Sequence, residues 1–409
     1  MSTKKHHGRS LLLFMLLILA GAGGYTEYVL SRPLPQLQPV VSAVSLPTAT
    51  GLPVISWPSV GQSAVAIPGT SILESHGKQT SAPTASVAKV ITALAVLQKK
   101  PLEIDRPGPS LTLTAADVAI YNSYVAQEGS VVPVSNGEQI TEYQMLEALM
   151  LPSANNIADS LAIWAFGSLT NYQVYAQHYV TGLGLKSTHI GSDASGYSPS
   201  TISSARDLAI LGEQAMDSPV LRQIVAKDSA TDVPETSRVP NVNFLLGTAN
   251  IIGIKTGNTD QAGGVFLSAS TTQVNNQTVT IVTALMGAPT LFQALQLSLP
   301  MITSAQTNFI TAKLLSQQSI VGRYDVPWDH SRLSAAAQTD LHAAAWRGST
   351  LTADIKLKPI TTTARIGQIV GTISTRQTAF SSPDQINIIL EKAPTIPSIW
   401  WRLLHPVYH

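Results

Sequence analysis

Pro83-Thr84-Ala85-Ser86-Val87-Ala88-Lys89-Val90-Ile91-Thr92-Ala93-Leu94-Ala95-Val96-Leu97 is the stretch on which the fold turns. Val87, Val90, Ile91, Leu94 and Leu97 recur at the spacing of one helical face, which predicts a helix after Pro83-Thr84 with Ser86 in its first turn. Lys89 follows three residues later on the same face, so its amine reaches the Ser86 hydroxyl. A serine hydroxyl is a poor nucleophile unless a base stands beside it, and a lysine is such a base only where its surroundings depress its pKa. A helix N-terminus helps twice: its positive end disfavours the ammonium, and its free N–H groups face a developing oxyanion. Alone, Ser-x-x-Lys is a cheap pattern, and most instances are solvated helix faces.

Two further elements stand downstream. Thr141-x-x-Gln144 has the form of a capping box, and Met145, Leu146, Leu149 and Met150 give the helix behind it an apolar stripe that Pro152 should end. Ser153-Ala154-Asn155 then occupies a short loop before a second helix with Ile157, Leu161, Trp164 and Ala165 on its buried side. Ser and Asn two apart in a loop are by themselves ordinary turn chemistry. Further on, Ile251, Ile252 and Ile254 lead a strand into Lys255-Thr256-Gly257, and Asn258-Thr259-Asp260 turns it toward antiparallel neighbours at 265–269 and 279–285. Lys255 and Thr256 alternate across that strand, while Gly257 lets a ligand backbone approach closely.

Ser86-x-x-Lys89, Ser153-x-Asn155 and Lys255-Thr256-Gly257, in this order, resemble the three motifs of penicillin-binding proteins and class A β-lactamases. The chain is more similar to the serine D-alanyl-D-alanine carboxypeptidases of low molecular mass. Asp193-x-Ser195-Gly196, Ser204-Ala205-Arg206-Asp207-Leu208 and Asn241-x-Asn243-x-Leu245-Leu246 ahead of Gly253 add to the likeness, which runs over roughly residues 60 to 305. The fold it implies is α+β, a five-stranded antiparallel sheet covered by helices beside an all-helical lobe, with the site between them. The implied substrate is a peptidoglycan stem peptide ending in D-Ala-D-Ala, and β-lactams are the implied inhibitors. On this resemblance Ser86 is the nucleophile, Lys89 its base, Ser153 a proton relay and Asn155 an orienting group. Lys255 and Thr256 would bind the substrate carboxylate, and the backbone N–H groups of Ser86 and Asn258 would form the oxyanion hole beside Gly257. Close relatives often carry an arginine just after the strand ending Leu285-Met286-Gly287-Ala288, where this chain has Pro289-Thr290-Leu291-Phe292-Gln293. A β-lactamase would need a deacylating carboxylate after the second motif, and no Glu-x-x-Leu-Asn pattern occurs there. A non-catalytic wall-binding protein on the same fold would be expected to have lost a motif residue, and all are present.

Outward from the motifs, Lys4, Lys5, His6, His7 and Arg9 precede the apolar run Leu11 to Ala20, in the order of an export signal. Ala20-Gly21-Ala22 fits a cleavage site, yet weakly polar chain continues to Leu30, near the ~20 residues that span a bilayer. Residues 1–30 are therefore expected to be a signal anchor or signal peptide, placing the protein on the extracytoplasmic face of the bacterial membrane or, if cut near Ala22, outside it. Pro33, Pro35, Pro39, Pro47, Pro53 and Pro58 mark 31–58 as an extended linker, a stalk for a catalytic domain at 59–316. Short strand-like runs and glycine breaks predict a small β-rich domain at 317–394. In the tail, 395–409, Trp400, Trp401 and Arg402 fit either a membrane-surface contact or packing on the domain.

Composition excludes whole classes. With 409 residues, 44% hydrophobic and 12% charged, the chain folds rather than staying disordered. Twenty-five basic against 24 acidic residues leave no basic field for nucleic acid. The absence of cysteine removes disulfides, thiolate nucleophiles and sulfur-ligated metals. His405 and His409 have ligand spacing, but Pro406 lies between them, so no metal site is proposed and no cofactor is expected.

Overall fold

The chain opens with helix α1 (Lys4–Ser31) and a short strand β1 (Pro39–Val41), followed by the hairpin β2 (Gln62–Ala66) and β3 (Leu73–His76). Helices α2 (Ala88–Lys99), α3 (Ala115–Ala126), α4 (Glu142–Met150), α5 (Asn155–Phe166), α6 (Leu169–Gly182), α7 (Ala205–Asp217) and α8 (Pro219–Val225) come next. A meander of β4 (Ile251–Thr259), β5 (Gly263–Val274) and β6 (Gln277–Ala288) leads into α9 (Leu291–Thr307). This computed structural model describes residues 4–44, 46, 48–236, 238–375 and 384–406. The side chains of the basic flank Lys4 to Arg9, and residues Pro47 and His409, lie outside the described residues.

The central sheet is antiparallel throughout, in the order β4-β5-β6-β2-β3. Strands β4, β5, β6 and β2 are covered on both faces, which is why Val265-Phe266-Leu267 and Ile281-Val282 read as unbroken apolar runs rather than alternating ones. On one face α7 lays Leu208, Leu211 and Ala215 into the core shared with the helical lobe. On the other, α9 contributes Leu295, Met301 and Ile302 to a core with Phe266, Ile281 and Leu285. Within the lobe the expected capping box forms: Thr141 Oγ1 accepts from Gln144 N–H, and Gln144 Oε1 accepts from Thr141 N–H at 2.9 Å. Helix α4 ends at Met150, ahead of Pro152.

Past α9 the chain forms β7 (Phe309–Leu315), β8 (Ile320–Asp325), β9 (Arg332–Ala337), β10 (Leu341–Trp346), β11 (Ala353–Leu357), β12 (Ile369–Thr375) and β13 (Gln385–Leu390), then the short helix α10 (Ile399–Leu404). These strands make a β-rich domain with its own core, including Tyr324, Leu333, Ile373 and Leu390. Two expected boundaries move. The β domain starts at β7, not 317, because β7 pairs with β10. The Pro-rich segment is extended, as its composition dictates, but it is no free stalk. Pro39, Val40 and Val41 pair with Tyr324, Arg323 and Gly322, making β1 the edge strand of the six-stranded sheet β1-β8-β9-β13-β12-β11. Leu37 and Ala49 are buried in that domain's core, and Trp57 packs against the core under α9. An edge strand tolerates Pro39 because only one side of it must bond.

The two ends of the chain also meet. Arg402 of α10 donates through Nη2 to the carbonyls of Val29 (3.1 Å), Leu30 (2.8 Å) and Arg32 (2.9 Å), and Tyr25 Oη donates to Leu403 O at 2.7 Å. A helix leaves its last carbonyls without partners, and a cation there also complements the dipole, by about 0.3 to 1 kcal/mol. Trp401 stacks on His405 and meets Trp328 edge-on, while Trp400 and Leu404 face outward, each 76% exposed.

Candidate active site

Ser86 sits in a single 3-10 turn, Ala85–Val87, that feeds directly into α2. Ala85, Val87 and Ala88 are buried around it, and Ser86 is the one partly open residue of that run, so the turn presents its hydroxyl at a surface. Ala85 is held at φ 46°, a left-handed conformation that costs an alanine about 1 kcal/mol and persists only because packing enforces it. Gly257 of β4 lies against this turn: a Cβ there would stand 3.1 Å from Ser86 N, Ala85 Cβ and Thr84 O. The backbone that Gly257 admits is therefore that of the serine turn itself, not the ligand backbone expected of it. Gly196 has the same character more severely, since a Cβ on it would lie 2.1 Å from Ala85 O.

Lys89 is wholly buried, and its Nζ has three partners: Ser86 Oγ at 2.8 Å, Asn155 Oδ1 at 2.7 Å and Ser195 O at 2.9 Å. Burial, followed by the proximity of Lys255, holds its pKa well below the usual lysine value, against the opposing pull of Asp193 and Asp159. The partner set suits the neutral amine. Asn155 Oδ1 and Ser195 O can only accept, so a neutral amine donates its two hydrogens there and leaves its lone pair for the Ser86 O–H. Asn155 begins α5, with its N–H bonded to Ser130 O at 2.7 Å, which fixes where its side chain starts.

Ser153, in the loop between α4 and α5, is 5% exposed and also left-handed, at φ 68°. Among the described residues its Oγ has no hydrogen-bond partner. A buried hydroxyl without a partner costs about 1 to 3 kcal/mol, so the arrangement suits an external group better than the empty fold. Lys255 and Thr256 are both buried in β4, paired with Leu267 and Phe266. Burial lowers the Lys255 pKa to about 7, and among the described residues its Nζ donates only to Thr256 O, at 3.1 Å. Asn258, two residues on, is exposed and opposite Gly264. In the segment after β6, Thr290 caps α9, accepting Gln293 N–H at 3.2 Å.

The structure therefore brings Ser86, Lys89 and Asn155 into one bonded cluster and sets Gly257 against its backbone. It adds a member that sequence reading passed over, the carbonyl of Ser195. A backbone acceptor has no side-chain signature. The indirect signal was the Asp193-x-Ser195-Gly196 segment, where Asp193 accepts from Ser195 N–H, Ser195 Oγ, Tyr197 N–H and Ser198 N–H to fold the loop. Asp159 and Tyr124, which bind the same loop, were also missed.

Known proteins resemble this chain in sequence and in fold. A family model described as D-alanyl-D-alanine carboxypeptidase, peptidase family S11, matches residues 60–290. D-alanyl-D-alanine carboxypeptidase DacA of Escherichia coli K12 is 26% identical over 288 residues, 66% of this chain and 68% of that protein. DacB2 of Mycobacterium tuberculosis is 32% identical over 205 residues, 49% of this chain and 66% of its own. Among solved structures, penicillin-binding protein 5 of Haemophilus influenzae matches in fold with a TM-score of 0.57 at 21% identity, over 85% of this chain and all of that one. With a family model spanning the whole region from β2 to the end of β6, and a serine–lysine–asparagine cluster inside it, this chain belongs to the D-alanyl-D-alanine carboxypeptidase family of serine peptidases.

Proposed function

We propose that this enzyme removes the terminal D-alanine from peptidoglycan stem peptides through an acyl-enzyme on Ser86. The observation that carries the assignment is Lys89 Nζ at 2.8 Å from Ser86 Oγ, on an amine whose pKa burial holds well below the usual lysine value. Lys89 takes the Ser86 proton as Oγ attacks the penultimate carbonyl. Asn155 keeps Lys89 in place, and the N–H groups of Ser86 and Asn258 receive the oxyanion, each such donor being worth ~10² to 10³ in rate. The unpartnered Ser153 hydroxyl passes a proton to the departing D-alanine amine. Lys255 and Thr256 hold that residue's carboxylate, one cation and one hydroxyl in place of the arginine this chain lacks. Water then releases the shortened peptide. β-Lactams acylate the same serine.

The cell wall on which this family acts lies outside the cytoplasm, and Ser10–Ser31 is long and apolar enough to cross a bilayer. We read α1 as an uncleaved anchor, with α10 and its exposed Trp400 at the membrane surface beside the outer end of the span. A fluorescent penicillin followed by mass mapping tests the catalytic assignment. The label should sit on the peptide containing Ser86 and vanish in a folded Ser86→Ala variant. Label retained on another residue in that variant overturns it.

A further inference from the structure

Asp159 lies one helical turn beyond Asn155 on α5, so the two side chains share a face. Asn155 takes Lys89 directly; Asp159 takes the loop that holds Lys89 from the other side. It is 6% exposed, with Oδ1 accepting Ala194 N–H at 2.9 Å and Oδ2 accepting Tyr124 O–H at 2.8 Å. The same two loop residues are tied to α2 through their carbonyls: Ala194 O accepts from Thr92 Oγ1 at 2.6 Å, and Ser195 O from Lys89 Nζ at 2.9 Å. Asp193 spends its oxygens on the loop's own N–H and O–H groups. Asp159 is thus the carboxylate that joins this loop to the helical lobe. A cleft of about 460 Å³ between α3 and the loop, lined by Tyr124, Gln127, Asp159 and Tyr197, gives it a route for proton exchange with solvent.

We infer that Asp159 is a positioning residue for the lysine base: it fixes the Ser195 carbonyl against Lys89 and, together with Asp193, supplies negative charge that raises the pH at which Lys89 gives up its proton. The inference rests on the assignment of Lys89 as base. The charged and titratable groups around the pair are Asp193 on the loop, Tyr124 on α3, Tyr172 on α6 and Lys255 on β4. Burial pushes the Asp159 carboxyl up to about 6, opposed by the Ala194 N–H and Tyr124 bonds, so it is ionised at neutral pH. An ionised Asp159 favours the ammonium of Lys89. Removing the charge therefore lets Lys89 stay neutral to lower pH.

The test is the rate of Ser86 acylation by fluorescent penicillin as a function of pH in the full chain and two variants. Asp159→Asn keeps an acceptor for Ala194 N–H and loses the charge; Asp159→Leu loses both. Both should move the acid limb to lower pH, by about half a unit or more. Asp159→Leu should also fall about tenfold or more below Asp159→Asn on the plateau, because the Ser195 carbonyl is no longer held. An acid limb unmoved in folded Asp159→Asn overturns the electrostatic role, and equal plateaus in the two variants overturn the positioning role. If Asp159→Leu fails to fold by thermal melt, the limb in Asp159→Asn decides alone. A wild-type chain that never labels at Ser86 would instead sink the catalytic assignment itself.

Discussion

Lys255 carries the prediction that separates carboxylate binding from proton transfer. Its ammonium is enclosed in β4 with one backbone acceptor, and burial brings its pKa down to about 7. For a lysine lowered in this way the cation is present below that pH and is lost as pH rises through it. About nine-tenths of the free enzyme then carries the charge near pH 6 and about one-tenth near pH 8. Because kcat/KM reports the free enzyme, a peptide ending in a D-alanine carboxylate should lose about tenfold in kcat/KM for each pH unit above that pKa. The same peptide as its C-terminal carboxamide gives the cation no anion to grip, so its profile should lack this limb. Lys255→Gln removes a charge-assisted hydrogen bond of about 1.5 to 3 kcal/mol, which is roughly 10- to 150-fold in kcat/KM for the acid near pH 6 and little for the amide. The assay is release of D-alanine or D-alaninamide across the pH range, with a thermal melt to show that each variant is folded. An alkaline limb identical for acid and amide, or an equal loss on both substrates in Lys255→Gln, would refute carboxylate binding and place Lys255 in the proton path.

Lys89→Arg keeps the charge and removes the base, since a guanidinium does not deprotonate in this range. Penicillin acylation should drop by at least about 10²-fold, and near-normal labelling would move the base to another residue. Removing residues 1–32 should leave a folded protein that acylates normally, whereas removing 1–58 also takes β1, Leu37 and Ala49 from the β domain and should lower that domain's melting temperature by several degrees. Equal melts for the two truncations would show that the strand contributes nothing. The mature protein should retain its N-terminus on mass analysis, and a chain starting at Gly23 would rule out the anchor.

The serine-bearing helix was legible because its apolar positions keep one period while Ser86 and Lys89 share a face, and burial of Val87, Val90, Ile91 and Leu94 follows from that pattern. The meander that carries Lys255 was legible for a similar reason: Ile, Val and Leu dominate strands covered on both faces. The Pro-rich segment was misread for a physical cause. Proline composition encodes an extended backbone, and an extended backbone serves equally as a solvated spacer or as an edge strand. What selects the strand is a partner, Ile320–Asp325, that local sequence does not reveal. Ser195 was hidden because its contribution is a carbonyl. Asp159 had a faint signal, its i+4 relation to Asn155, which means little until the second helix is seen to face the lysine.

The pairing of β1 with β8 has a consequence for the order in which the molecule is built. The β domain is discontinuous: its first strand precedes the whole catalytic unit and its remaining strands follow it. A chain that emerges N-terminus first produces β1 long before Gly322 and Tyr324 exist, tens of seconds earlier at ~5 to 20 residues per second. Through that interval the catalytic unit can close on itself, while β1 waits with both edges unpaired. An unpaired strand is a template for aggregation, and brevity and proline are two of the ways such edges are blunted. Three residues long and led by Pro39 in a proline-rich run, β1 is poorly suited to pair with a stranger and adequate to pair with a strand that arrives only after the whole catalytic unit.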